Sequence, residues 1–326
     1  MRRIRTLLLL VFIAAASVGG AAWWEVWNFN AAGSAEKETV LIVRPGGGAR
    51  TIAASLAEAG VIDAPLLFRI GVMRRDRTTA LKAGEYAFPP RASMAQVMDM
   101  LVQHKVVLHR ITIAEGLTSD MAVGIVNADP VLDGPVTVAP EGSLLPETYL
   151  FERGTTRAEL LARMRQAQEA LIAELWPKRK PGLPIQSVED ALKLASIVEK
   201  ETALPAERPR IAAVFVNRLK SGMRLESDPT IIYGLTKGAP LGHPLRQSEL
   251  DTPNPYSTYQ IDGLPPTPIC NPGRDSLAAV LNPPESGELF FVADGTGGHV
   301  FARTGAEHAR NVAQWRRIER EQGRTE

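Results

Sequence analysis

The chain has 326 residues, 45% of them hydrophobic, 22% charged and 6% aromatic, with 37 Lys and Arg against 36 Asp and Glu. It is too apolar for a disordered chain and too evenly charged for a protein whose main work is tracking phosphates, so nucleic acid is not an expected partner. Its length suits about two domains with a real core, and the single cysteine, Cys270, excludes an internal disulfide framework or a thiolate-rich zinc site.

The apolar residues pile up at the N-terminus. Residues 1–6 carry Arg2, Arg3 and Arg5, and residues 7–24 then run without a charge. At about 1.5 Å per helical residue that run reaches about 27 Å, close to the roughly 30 Å of hydrocarbon in a bilayer. Trp23, Trp24 and Trp27 sit where an interfacial aromatic belt would anchor its far end. A cleaved signal peptide is the competing reading, with Leu7 to Ile13 as its apolar region and Ala14 to Ala16 as the cleavage site. The run continues well past that site, which favours a retained anchor. The preceding arginines put residues 1–6 in the cytoplasm. The chain from Glu25 onward is then exported from a single-pass anchor in the cell inner membrane, into the periplasm or outside the cell.

Residues 25–38 are expected as a linker, small and polar from Asn28 on. Residues 39–107 read as a β-α-α-β-α unit. Val40 to Val43 is a short strand stopped by Pro45 and Gly46 to Gly48; helices come next at Thr51 to Gly60 and Pro65 to Arg74. Gly84 to Phe88 is extended, and Ser93 caps a third helix through Val97, Met98 and Leu101. Residues 108–320 form a second, larger domain, entered through a strand at Val107 to Ile113. It contains a turn-rich stretch from Pro140 to Phe151 and helices at Arg157 to Trp176, Ser187 to Thr202 and Pro205 to Leu219. A long Pro-, Gly-, Asn-, Tyr- and Thr-rich run from Arg224 to Arg274 has the length of a functional loop. Another helix begins at Ser276 to Leu281, a hairpin joins Leu289 to Ala293 with His299 to Ala302, and a last helix runs from about Glu307 to Glu321. The class is α+β, with an N-terminal transmembrane helix, a small domain and a larger mixed one.

One acid stands on the wrong face of a helix. Ser187 to Asp190 has the spacing of a capping box and sets a helical zero at Val188. At about 100° per residue, Leu192, Ala195, Ala191 and Thr202 fall on one stripe, and Glu199 lies in its middle at about 20°. A carboxyl in an apolar setting needs an explanation, because desolvating it is costly. Two readings stand. Burial favours the protonated form, as a general acid near neutral pH requires; equally, Glu199 is half of a buried ion pair with Arg208, Arg210 or Arg218. Glu201, on the opposite side, is expected as a solvated partner of Lys200 or Arg208.

Around this helix the motifs carry a resemblance. Ala195-Ser196-Ile197-Val198-Glu199-Lys200-Glu201-Thr202, Val214-Phe215-Val216-Asn217-Arg218-Leu219, Gly222-Met223-Arg224-Leu225 and Ser227-Asp228-Pro229-Thr230 succeed one another in an order that resembles the YceG-like family of endolytic murein transglycosylases. Leu250 to Tyr259, Gly263-Leu264-Pro265-Pro266 and Phe291 to Gly295 continue that order, and Glu115-Gly116, Pro140-Glu141-Gly142 and Pro146 to Tyr149 precede it. The likeness runs from Val40 to about Val312. It departs at Ser143-Leu144-Leu145, where many relatives have an aromatic residue after Glu-Gly.

The resemblance implies an anchored enzyme that cuts peptidoglycan glycan strands internally, with a LysM-like small domain. It makes the first glutamate of the Glu-Lys-Glu pair, Glu199, the catalytic residue. It also implies peptidoglycan synthases or divisome proteins as partners in the wall-building setting. One carboxyl serves a lytic route, first protonating the leaving oxygen and then taking the proton of the muramyl C6 hydroxyl that closes a 1,6-anhydro ring. Hydrolytic glycosidases instead use two carboxylates. Asn217, Asp228, Thr230, Tyr233, Asn254, Thr258 and Tyr259 are nominated for the glycan groove, as neutral donors and acceptors or as ring faces for sugars. The five histidines form no H-E-x-x-H pair and Gly46 to Gly48 lacks a phosphate-loop fingerprint, so neither metal nor cofactor is expected. Two rival functions remain: a muramidase using water and a second carboxylate, Asp228 or Glu226, and a non-catalytic peptidoglycan-binding scaffold.

Overall fold

The computed structural model describes residues 2–321. Met1, in the expected cytoplasmic stub, lies outside them. The chain divides into two compact units, residues 1–109 with 150–154, and residues 110–149 with 155–326.

The first unit begins with α1 (Arg2–Asn30), whose stretch Ile4–Asn30 is apolar and long enough to cross a membrane. A signal sequence would have the same length and composition. The stretch expected as a linker from residue 25 differs from expectation: α1 runs on through Asn30, and its last turn is built into the fold. Phe29 is fully buried and stacks on Phe68, with ring centroids 6.2 Å apart. Glu25 is buried and accepts from Arg74 at 3.1 Å and Arg75 at 3.2 Å. Composition missed this because Phe29 stands between Asn28 and Asn30, at the head of a small, polar stretch.

After α1 come β1 (Thr39–Val43), α2 (Ala49–Glu58), α3 (Pro65–Arg74), β2 (Gly84–Phe88) and α4 (Met94–Gln103). β1 and β2 pair antiparallel from Thr39 opposite Phe88 to Val43 opposite Gly84. Ser93 and Gln96 close a capping box at the start of α4, and His104 ends that helix in the left-handed region at φ 57°. Leu56, Phe68, Tyr86, Phe88 and Leu101 join Phe29 in one core. β3 (Leu108–Thr112) comes next and forms a two-stranded ladder with β4 (Thr148–Glu152).

The larger unit holds α5 (Ser119–Ala128), α6 (Arg157–Leu175), α7 (Val188–Glu201), α8 (Arg208–Lys220), α9 (Asp228–Thr236), α10 (Gln247–Asp251), α11 (Arg274–Leu281), β5 (Phe290–Ala293), β6 (His299–Ala302) and α12 (Gly305–Glu321). Its centre is α7 packed against α8 and α11, with Leu194, Ile197, Ile211, Phe215, Leu277 and Val280 buried between them. β5 and β6 form the expected hairpin.

Four elements depart from the sequence reading. α5 was not expected: Thr118 caps it by accepting from the Met121 N–H, but Gly124 and Asn127 lower its intrinsic helicity. β4 closes the stretch read as turns. α9 and α10 lie inside the run read as a single loop, where Pro229 in the first turn of α9 is a start signal that the surrounding Pro and Gly residues obscured.

Candidate active site

The end of α7 carries two glutamates with different surroundings. Residues two apart on a helix point to nearly opposite sides, so Glu199 and Glu201 meet different elements.

Glu199 is 8% exposed. Its Oε1 accepts from Arg208 Nη2 at 2.8 Å, and its Oε2 accepts from the Gly273 N–H at 2.9 Å. Donors thus face both oxygens, the arrangement that an ionised carboxylate takes. Of the three arginines named from sequence, Arg208 is the one that reaches it. Arg208 is itself buried and also meets Glu115 at 2.9 Å and Asp275 at 3.8 Å. Gly273 is needed for this approach, because a Cβ there would lie 1.8 Å from Glu115 Oε1.

Glu201 differs from expectation. It is half-buried rather than solvated and accepts the hydroxyl of Ser227, the residue before α9. Burial raises its carboxyl from an ordinary 4.5 to about 7. The Ser227 hydrogen bond pulls the other way, the negative charge of Asp228 adds to the rise, and His299 and Arg218 oppose it. The sequence signal that could have found Glu201 is the adjacent Ser-Asp-Pro: it brings a hydroxyl donor and a second acid, although nothing in the helical wheel shows where they dock.

The seven residues nominated for a groove separate into groups. Asp228 and Tyr259 join Glu201: the Tyr259 hydroxyl donates to Asp228 Oδ1 at 2.8 Å, and burial together with Asp228 pushes the phenol well above its usual range. Thr230 and Thr258 are fully buried beneath Ser227. Thr258 Oγ1 accepts from the Ser227 N–H at 2.9 Å, Thr230 Oγ1 donates to the Ser227 carbonyl at 2.6 Å, and the two hydroxyls are 3.0 Å apart. They hold Ser227 in place from below. Asn254 is buried between the Ile231 carbonyl, 3.1 Å from its Nδ2, and the Tyr256 N–H, 3.0 Å from its Oδ1. Asn217 donates to the Ser286 and Glu288 carbonyls at 2.8 and 3.0 Å and so ties down the approach to β5.

Tyr233 belongs with Glu141, which sequence reasoning placed only in a family motif. Its hydroxyl donates to Glu141 Oε2 at 3.1 Å, while the Ser119 N–H donates to Oε1 at 2.7 Å. Burial raises the Glu141 carboxyl despite both donors. The Tyr233 ring meets Tyr256 edge to face at 4.9 Å, and Lys237 lies over both rings. His299, expected in the hairpin, begins β6 and holds Glu207 at 2.7 Å. Among the described residues, no group of three His, Cys, Asp or Glu is arranged to hold a metal ion.

The arrangement offers one carboxyl that keeps its proton near neutral pH, an aligned Asp-Tyr pair beside it, and a second carboxylate clamped by arginine on the opposite side of the same helix. Several known proteins are similar to this chain. The endolytic murein transglycosylase of Streptococcus pneumoniae serotype 2 strain D39 is 29% identical over 94% of this chain and 64% of its own length. That of Bacillus subtilis strain 168 is 36% identical over 52% of this chain and 46% of its own. The chain therefore spans just under two thirds of the first relative's length and less than half of the second's. A crystal structure of a YceG-like protein from Listeria monocytogenes covers 84% of this chain and 99% of its own at 28% identity, with a TM-score of 0.51. The profile of the YceG-like family matches residues 41–314, from the first strand of the small unit through most of the last helix, and the chain belongs to that family.

Proposed function

We propose that this protein is an endolytic lytic transglycosylase that cuts peptidoglycan glycan strands at the bond between N-acetylmuramic acid and N-acetylglucosamine. The names of the Streptococcus and Bacillus relatives support that reaction class. The observation that carries the chemistry is Glu201, whose carboxyl is raised to about 7 by burial and so retains a proton to donate at neutral pH.

In this mechanism Glu201 protonates the glycosidic oxygen as the bond from muramyl C1 to that oxygen breaks, releasing the 4-hydroxyl of N-acetylglucosamine. The C6 hydroxyl of the same muramyl ring attacks C1 and gives its proton to the Glu201 carboxylate. A 1,6-anhydro ring closes, no water is consumed, and the acid is regenerated. Asp228 supplies negative charge beside developing oxocarbenium character, and Tyr259, fixed by its hydrogen bond to Asp228, lines the same wall. Glu199 acts as the neighbour that holds Arg208 and Gly273 against the end of α7.

A second reading keeps the role that the family resemblance gives to Glu199. It is favoured by the burial of Glu199 at the end of α7, where its cation, Arg208, is shared with Glu115 and Asp275. Glu201→Gln and Glu199→Gln separate the two readings. Under the first, Glu201→Gln abolishes cutting and Glu199→Gln weakens it; under the second, the order reverses. Mass spectrometry of digested peptidoglycan tests the reaction itself. The expected ends are 1,6-anhydromuramic acid, and reducing muramic acid, heavier by one water, would mean hydrolysis.

Around this centre we place residues 108–320 as the catalytic domain and 39–107 as a LysM-like wall-binding domain. The strand-helix-helix-strand order of β1, α2, α3 and β2, with β1 and β2 antiparallel, supports the latter. α1 serves as a single-pass anchor in the cytoplasmic membrane, N-terminus inside, with the rest of the chain on the wall side. In that setting, peptidoglycan synthases and division proteins are the partners to seek by crosslinking.

A further inference from the structure

We propose that the membrane-proximal end of α3 rests on the anionic headgroups of the bilayer that α1 crosses. The inference builds on the reading of α1 as an anchor and adds a second, peripheral contact with the same membrane.

The geometry comes from how α1 ends. Glu25 meets Arg74 and Arg75 at the C-terminal end of α3, while Phe29, one turn further from the apolar run, meets Phe68 near the start of that helix. The two helices are therefore antiparallel where they touch, and α3 points back toward the apolar run. The packing leaves little freedom: the Arg75 guanidinium lies 4.0 Å over the Phe29 ring, and a Cβ at Gly71 would fall 2.2 Å from that ring. Glu25 directly succeeds the last residue of the uncharged run. With a rise of about 1.5 Å per residue, the segment from Met73 to Arg77 sits within roughly 6 Å of the level of Glu25, where headgroups begin.

The face exposed at that level suits lipid. Phe68, Gly71 and Val72 point into the core, leaving Arg69, Met73 and Arg77 outward. Met73 is 64% exposed, and Trp23 and Trp27 on α1 are 69% and 60% exposed at the same height. α3 contains no acid; Asp76 lies just beyond it, and Glu25 on α1 is taken up by Arg74 and Arg75. Arg74 and Arg75 are engaged with Glu25, whereas Arg69 and Arg77 have no ion-pair partner among the described residues. Apolar side chains interleaved with free arginines form the kind of surface that lies in an anionic interface. Held at bilayer height by Phe29 and Glu25, this face meets lipid before it meets any soluble partner.

The test uses the full chain in vesicles of phosphatidylcholine, with or without phosphatidylglycerol, containing nitroxide lipids as quenchers. Cys270 is buried, so an added cysteine can be labelled selectively with a fluorophore. A label on Ala15→Cys reports insertion of α1, and a label on Met73→Cys reports the proposed contact. Quenching of both in anionic vesicles is expected, with the Met73→Cys signal weaker in phosphatidylcholine alone. Adding Arg69→Gln and Arg77→Gln should lower the docked-to-free ratio about fivefold per arginine. A quenched Ala15→Cys label with a Met73→Cys label that is unquenched, or indifferent to anionic lipid and to both arginines, overturns the contact alone. An unquenched Ala15→Cys label overturns the anchor, and the contact falls with it.

Discussion

The hydroxyl of Ser227 donates to the carboxyl of Glu201, joining the start of α9 to the end of α7 across 26 positions of chain. Thr258 and Thr230 fix that serine from below, so the acid rests on a buried three-residue platform. A carboxyl raised to about 7 must be protonated to act as an acid. The rate of strand cutting should therefore fall as pH rises through about 7, with an alkaline limb that belongs to Glu201. The pH profile of anhydromuramic acid release checks this. An alkaline limb that persists in the residual activity of Glu201→Gln would assign it to another group.

The same elevation has a cost in stability. The folded-state value of about 7 exceeds the ordinary 4.5, so folding binds a proton more tightly between those values and loses stability as pH rises through them. Glu201→Gln removes the ionisable group at nearly constant volume. At about pH 8 the variant should be more stable than the parent by roughly 2 kcal/mol, allowing for solvent screening of a half-buried group. The difference should vanish near about pH 4, where the parent carboxyl is neutral in both states. Urea unfolding at the two pH values measures it, and a gap that widened toward acid would contradict the assignment.

Glu199 and Glu201 also show what a sequence can and cannot display. The burial of Glu199 was legible because it depends only on helical period: a capping box at Ser187 set the phase, and the stripe did the rest. Its partner could be narrowed to three arginines on the next helix but not chosen, since that choice depends on how α8 rolls against α7. Glu201 was misread because its environment is entirely non-local. Ser227, Asp228 and Tyr259 come from a run whose glycines and prolines hid α9, and the contacts that raise its pKa leave no periodic trace. Thr230, Thr258 and Asn254 had the right chemistry for sugars, but equally the right chemistry for satisfying buried backbone groups, which is where they are used. Phe29 was overlooked because, flanked by Asn28 and Asn30, it reads as part of a polar linker.

Arg208 neutralises a nearly buried charge, so its removal should be severe. Arg208→Ala strands Glu199 without its cation and is expected to cost about 3 to 5 kcal/mol in urea unfolding. Adding Glu199→Gln to that variant removes the stranded charge and should restore a large part of the loss. If the double variant were no more stable than Arg208→Ala, the cost would come from Glu115, Asp275 or packing instead.

The union of α1 with the small domain depends on a missing side chain. Gly71→Ala places a methyl group 2.2 Å from the Phe29 ring, so either the pair separates or the helix shifts, at about 1 to 3 kcal/mol. Limited proteolysis of the full chain in detergent should then cut faster between Asn30 and Glu38. Phe29→Ala should reach the same phenotype by emptying the fully buried site. Unchanged proteolysis in both variants would mean that the end of α1 is held by the Glu25 pairs alone.

Neighbours of Glu201 should move its titration in opposite directions, a sharper test than loss of activity. The Ser227 hydrogen bond favours the charged carboxylate, and the Asp228 charge disfavours it. Ser227→Ala should therefore shift the alkaline limb of the rate upward from about 7, whereas Asp228→Asn should shift it downward while keeping an acceptor for the Tyr259 hydroxyl. Thr258→Val provides the control for mere displacement. It removes the acceptor of the Ser227 N–H but no group that acts directly on Glu201, so it should lower stability by about 1 to 3 kcal/mol. Its effect on the limb should track Ser227→Ala only to the extent that Ser227 leaves the carboxyl. Opposed shifts for Ser227→Ala and Asp228→Asn locate the titrating acid at Glu201, because Glu199, held by Arg208 and Gly273 on the other side of α7, touches neither residue.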